Sequence, residues 1–263
     1  MTNHHDTHYT DIVWDEPRPG VARLTLNRPD RMNALGWHSH DELRDALGAM
    51  APRVLVITGE GRAFCAGDDI QDIFNEGNAP PDMGDDPGLM ETTALLMDAP
   101  YPIIAAVNGA AVGWGMDLAL CADIRIASSH ARFASLFVKR GQAADVPGLG
   151  RLWQLVGRER AARLLMTGDF VDADTSLDWG LVSEVVEPEK LMDTALRLAD
   201  AIAANPPLAV AAIKAGLKRT SDPDWHEFGG WLGPIHARLF ATNDHAEAVR
   251  AHLEGRTPTF TGT

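Results

Sequence analysis

Cysteine is scarce: Cys65 and Cys121 are the two thiols in a chain of 263 residues. They match no metal-ligand spacing, and so few of them argue against a disulfide framework and for a reducing compartment. Basic clusters are lacking as well. Against a formal net charge of -14, the longest basic runs are pairs such as Lys139 with Arg140 and Lys218 with Arg219. That balance repels an extended phosphate backbone, so nucleic acid is not expected as a partner. No apolar run approaches the roughly eighteen residues of a membrane span, and the polar first ten residues lack the apolar core of a secretion signal. The expectation is a cytoplasmic protein with no membrane partner. His4, His5 and His8 sit in that polar tail and are expected to fray with it rather than hold a metal.

What is present is enough apolar material, 45% of residues, for one large core or a core with an appendage. β-rich segments at 10–14, 21–26, 54–58, 103–107, 124–127 and 132–133 alternate with helical patterns at 37–50 and 89–97. Alternation of this kind implies parallel strands with helical crossovers, hence an α/β core. From Gly150 onward helical spacing dominates, at 161–166, 172–179, 191–204, 207–218 and 225–240, with one strand-like run at 181–186. The acidic, Gly- and Pro-rich stretch 75–88 reads as a loop beside the site.

Two Gly-rich segments follow predicted strands: GRAFCAGDDI at 61–70 and NGAAVGWGMDL at 108–118. A strand that enters a Gly-rich turn and then a helix leaves amides unpaired at the positive end of the helix dipole. That arrangement suits an anion, including the transient oxyanion of a thioester turning into an enolate. The glycines at 109, 113 and 115 do not have the G-x-G-x-x-G spacing of a dinucleotide loop. Either loop alone is also explained as a tight turn that needs glycine. A serine hydrolase is excluded by the lack of G-x-S-x-G, and no compact His, Cys and Asp set suggests zinc.

These residues resemble the enoyl-CoA hydratase/isomerase (crotonase) superfamily. NRPDRMNAL at 27–35, FCAGDDI at 64–70, AAVNG at 105–109 on to Gly115, and the run 118–127 are similar to four successive blocks of it. RLLMTG at 163–168 and GLVSEVV at 180–186 extend the likeness over nearly the whole chain. The resemblance implies a spiral of ββα units over residues 1–190. It also implies a helical region at 191–263 that covers the site and joins subunits into a trimer or a dimer of trimers. It places the two oxyanion-holding amides at Asp68 and Trp114, and puts Arg31, Met32, Ala34, Ala66, Asp69 and Ile70 along the CoA, with no metal and no cofactor beyond that CoA moiety.

The acids depart from the pattern that the resemblance implies for hydration. Of the usual two glutamates, the first falls at Asp117 and the second at Phe137, which carries no acid. Asp145, eight residues on in RGQAADV, stands where relatives that shift double bonds place a catalytic aspartate. An isomerase needs one base that removes a proton and returns it elsewhere, so this reading favours isomerase over hydratase. Two alternatives stay open: a catalytically reduced acyl-CoA-binding protein, and an enzyme that uses Asp145 as a nucleophile. The stripe Leu208, Val210, Ile213 and Leu217 is expected to meet another subunit.

Overall fold

The computed structural model describes residues 9–49, 51–73, 90–221 and 224–263, so the tail histidines and the loop expected at 75–88 lie outside the described residues. The chain enters as a hairpin, β1 (Ile12–Arg18) and β2 (Val21–Leu26), turned at the Pro19 and Gly20 pair. After α1 (Trp37–Ala49), β3 (Val54–Gly59) lies parallel to β2 with Val21 opposite Val54 and Leu26 opposite Gly59. Every residue of β3 is buried, as its unbroken run VLVITG requires of a strand covered on both faces.

Next come the short β4 (Ala63–Cys65), α2 (Ile70–Ile73) and α3 (Glu91–Asp98), then the buried β5 (Ile103–Val107), β6 (Ala110–Val112) and α4 (Trp114–Cys121). β7 (Ile124–Ser128), β8 (Arg132–Ala134), α5 (Val146–Val156), α6 (Arg158–Thr167), β9 (Val171–Asp172), α7 (Ala173–Trp179) and β10 (Glu184–Val186) complete the α/β part. Among the described residues, β1-β2-β3-β5-β7-β10 form one sheet and β4-β6-β8-β9 a second.

The two sheets change the expected path of the Gly-rich segments. A long strand does not run directly into the turn and helix: β4 intervenes between β3 and α2, and β6 between β5 and α4. Three residues are too few to show a period of two, so these strands are invisible to a pattern search. The predicted strand at 181–186 also shortens to β10, because Leu181 and Val182 are buried in the turn that leaves α7.

The remaining helices are α8 (Leu191–Ala203), α9 (Pro207–Ser221), α10 (Trp225–Phe240) and α11 (Asn243–Glu254). α8 closes the outer face of the first sheet, where Leu191, Ala195, Leu196 and Ala199 pack on Val21, Val54, Val56 and Ile104. Each fully buried leucine of this kind contributes about 1.5–3 kcal/mol. α9 docks by a polar edge instead. Lys214 reaches Asp123 at 2.9 Å and the Tyr101 carbonyl at 2.8 Å, and Lys218 pairs with Asp98. Leu208 (85% exposed), Ile213 and Leu217 of the same helix remain exposed. Among the described residues, no single helix is long and apolar enough to cross a membrane.

Candidate active site

The two Gly-rich loops meet back to back. Gly67 has φ +90°, and a Cβ there would sit 2.7 Å from the Val112 carbonyl oxygen and 3.3 Å from the Trp114 nitrogen. Only glycine takes both this left-handed backbone and this approach without strain. On the other side, Leu35 fixes the loop, donating its N–H to the Gly67 carbonyl and accepting from the Asp69 N–H, both at 2.9 Å. Asn108 holds the underside, accepting from the Gly59 N–H at 3.2 Å and donating to the Gly61 and Ala63 carbonyls. Trp114 opens α4 directly after its N-cap Gly113, so its N–H is one of the orphan donors of a helix start. Among the described residues, neither the Asp68 nor the Trp114 N–H finds a backbone acceptor.

Beside these amides lies a cavity of about 280 Å³. Asp68, Ile70, Trp114, Phe137 and Asp145 are on its wall, and α10 and α11 roof it with Leu232, His236, Phe240 and His245. At the mouth, Arg44 pairs with Asp41 at 2.7 Å and Glu91 at 3.5 Å. His40, on α1, stands edge-on to the Trp114 ring at 5.0 Å and places its Nε2 3.4 Å from Asp68 Oδ1.

Asp145 is the N-cap of α5, its carboxylate accepting the Val146 N–H at 2.7 Å. Burial pushes its carboxyl above the usual range, the Val146 hydrogen bond and His236 pull it back, and the Asp68 charge adds to the rise. A carboxylate raised in this way is a stronger proton acceptor near neutral pH than one in water.

Asp117 behaves differently. It is 1% exposed, lies off the cavity wall, and neither of its oxygens makes a hydrogen bond of good geometry. α5 passes so close that a Cβ on Gly148 would be 2.6 Å from Asp117 Oδ1. Burial, and then the Asp145 charge, raise its carboxyl well above the ordinary value, with the Asp145 backbone N–H offsetting a part. Asp117 is therefore a buried acid enclosed behind Asp145, its carboxyl held well above the ordinary range.

A stability prediction follows from that sign. Below the unfolded pKa the carboxyl is protonated in both states; as pH rises, the unfolded chain ionises first and the native state loses stability until the folded pKa is passed. The parent should therefore fall behind Asp117→Asn by about 1.4 kcal/mol per pH unit across that window. Denaturant unfolding at fixed protein concentration, run from pH 4 to pH 8, checks it; a pH-independent difference would show that Asp117 is ionised in the native protein.

The residues assigned to a CoA strip form a separate surface. Pro29–Arg31 makes a 3-10 turn that Met32 (φ 53°) and Asn33 (φ 56°) bend back through left-handed backbone. Asn33 stabilises the bend by donating to the Glu60 and Ala63 carbonyls, and the Ala66 N–H bonds the Met32 carbonyl at 3.0 Å. The Ala34 carbonyl accepts from Arg28, whose guanidinium also meets the buried Asp69 at 3.3 Å. Arg31 points outward and bonds Gln71 at 2.8 Å. Of this set, Ile70 alone also reaches the cavity.

Sequence reasoning missed His40, Arg140, Gln142 and His236, all on the cavity wall. One of them had a signal: Gly229, Leu232, Gly233, His236 and Phe240 recur at spacings of three, four and seven, one face of α10.

Comparison with known proteins agrees with this architecture. The family profile described as enoyl-CoA hydratase/isomerase matches residues 16–263. The chain is 36% identical over 260 residues to the 1,2-epoxyphenylacetyl-CoA isomerase of Escherichia coli (strain K12), covering 96% of this chain and 99% of that one. It is 35% identical over 258 residues to the crotonyl-CoA hydratase of Syntrophomonas wolfei, covering 96% and 98%. Among solved structures, carnitinyl-CoA hydratase from Mycobacterium avium superposes with a TM-score of 0.82 at 31% identity over 98% of this chain and all of that one. An enoyl-CoA hydratase/isomerase from Pseudoalteromonas atlantica gives 0.83 at 29% identity over 96% and 100%. With a family profile over almost its full length, and relatives above 30% identity over nearly all of it, the chain belongs to the enoyl-CoA hydratase/isomerase family.

Proposed function

We propose that this enzyme shifts a double bond within an unsaturated acyl-CoA. The thioester oxygen takes the N–H groups of Asp68 and Trp114, which stabilise the enolate as it forms. Asp145 removes a proton from the acyl chain and returns it at a second carbon. CoA runs out over Arg31, Met32, Ala34, Ala66, Asp69 and Ile70, which offer mainly backbone. The observation that carries the reading is the distribution of acids: Asp145 faces the cavity beside both amides, Asp117 is enclosed behind it, and position 137 is a phenylalanine on the wall. That leaves one base rather than a facing pair. The two helical layers at 191–263 divide their work, with α10 and α11 covering the site and the exposed edge of α9 joining subunits into trimers.

Relatives named as hydratases keep water addition as the second reading, and one screen separates the two. Linear, branched and aromatic enoyl-CoAs are incubated with the purified protein and followed by absorbance and mass spectrometry. Isomerisation leaves the mass unchanged, while hydration adds one water. Calorimetry with a non-reactive acyl-CoA analogue should show binding that a chelator does not alter; failure to bind any of a broad panel would overturn the acyl-CoA reading. Light scattering should give a mass near three or six chains, and a monomer across micromolar concentrations would remove the role of α9.

A further inference from the structure

Arg140 brings a positive charge into the cavity that no neighbour answers. Arg140 is on the wall, and among the described residues no carboxylate forms an ion pair with its guanidinium. Withdrawal from water lowers its pKa, and the charge of Asp68 acts on it from a distance beyond ion-pair range. A desolvated cation without a partner is unfavourable unless a ligand supplies the anion.

Gln142, beside it, points the same way. Its Nε2 is drawn 3.3 Å from His245 Nδ1, yet that ring nitrogen also lies 2.8 Å from the Arg140 carbonyl oxygen. A carbonyl only accepts, so Nδ1 carries the proton and cannot also accept from an amide NH2. The Gln142 amide is therefore turned over, its oxygen sharing the His245 Nδ1–H. The buried atom of Gln142 that has no partner is then an NH2 donor. The Trp114 Nε1–H is another buried donor without an acceptor, on a residue that also lines the cavity. A thioester brings one oxygen to the Asp68 and Trp114 amides and has nothing to offer this second group of donors.

We propose that the acyl group of the substrate carries a second anion, a carboxylate, held by the Arg140 guanidinium and the Gln142 amide. This rests on the cavity being the acyl site of a CoA thioester, and the test keeps the two apart. Calorimetry compares glutaryl-CoA with valeryl-CoA, five-carbon acyl groups with and without a terminal carboxylate, on the parent and on Arg140→Met, Arg140→Lys and Gln142→Leu. The parent should prefer glutaryl-CoA by about ten- to a hundredfold, the worth of a charge-assisted hydrogen bond. Arg140→Met should bring the ratio to about one, Arg140→Lys should keep part of it, and Gln142→Leu should reduce it. Should Arg140→Met not fold, the ratios of the parent and the other two variants decide.

Equal binding of the two ligands by the parent, or an unchanged ratio in Arg140→Met, overturns the proposal while the acyl-CoA reading stands. If Arg140 serves only to balance Asp68, Arg140→Met weakens both ligands by one factor and adding Asp68→Asn restores them, which also overturns it. Failure of the parent to bind either thioester removes the acyl-CoA reading and this inference with it.

Discussion

Asp145→Asn should lower turnover of an enoyl-CoA on the order of a hundred- to ten-thousandfold while leaving affinity for a non-reactive acyl-CoA nearly unchanged. The substitution is informative because the N-cap of α5 and the proposed base are one carboxylate, and asparagine separates the two roles. As N-cap of α5 it accepts the Val146 N–H at 2.7 Å, and an asparagine oxygen does the same. As a base it must take a proton, which an amide does not. The helix and the wall of the cavity are thus kept while the acceptor is lost.

The pH profile gives a second readout. The proposed base works when ionised, and burial raises its pKa, so kcat/KM of the parent should fall as pH drops through that raised value. In Asp145→Asn the acid limb disappears. Asp117→Asn should cost less, because Asp117 lies off the cavity wall. A hydratase working through Asp117 and a bound water would reverse the order of the two losses. Phe137→Glu extends the test: a gain of water addition there, if the parent shows none, would identify the missing second acid as what the two-glutamate route lacks in this chain. Equal and small effects of both aspartate substitutions would leave the binding-protein alternative.

How much of this was legible in the sequence depended on length and on locality. β2, β3, β5 and α10 could be read because each carries its own pattern, the long strands as unbroken apolar runs and α10 as a periodic face. β4 and β6 could not, since three residues define no period, and their pairing joins segments far apart in the chain, Ala63 opposite Ala110. The start of α5 is ambiguous by composition, since Asp145-Val-Pro-Gly suits a turn and is equally an N-cap followed by a proline in the first helical turn. α11 has no such apolar face to read, because the residues it buries are His245, Ala248 and Ala251.

For the site, position within a motif located Asp68, Trp114 and Asp145 but said nothing of exposure. That Asp117 is sealed by Gly148 and α5, and that His236 of α10 shares a cavity with Asp145, are consequences of packing between elements far apart in the chain.

Gly67→Ala tests the amide platform independently of any acid, and it should lower turnover about a hundred- to a thousandfold, the usual effect of losing one oxyanion donor. Two costs combine at that position. A φ of +90° is disfavoured for alanine, and the new Cβ would sit 2.7 Å from the Val112 carbonyl oxygen, inside van der Waals contact. The loops must then part, and since the Trp114 nitrogen lies only 3.3 Å from the same Cβ, the parting moves one donor relative to the other. A control separates strain from site geometry: Gly255, at φ +66° after α11, has nothing within 4 Å of its Cβ position. Gly255→Ala should lower the melting temperature with turnover kept, whereas Gly67→Ala should lower both. The most direct measurement is exchange of the protons alpha to the thioester of a saturated acyl-CoA in heavy water, followed by NMR. That exchange needs the enolate and a base but neither a double bond nor water addition, so it reads the platform whichever reaction the enzyme performs. Exchange at the parental rate in a folded Gly67→Ala protein would show that Asp68 and Trp114 do not hold the oxyanion, while exchange lost in Gly67→Ala and Asp145→Asn alike would tie both halves of the mechanism to one intermediate.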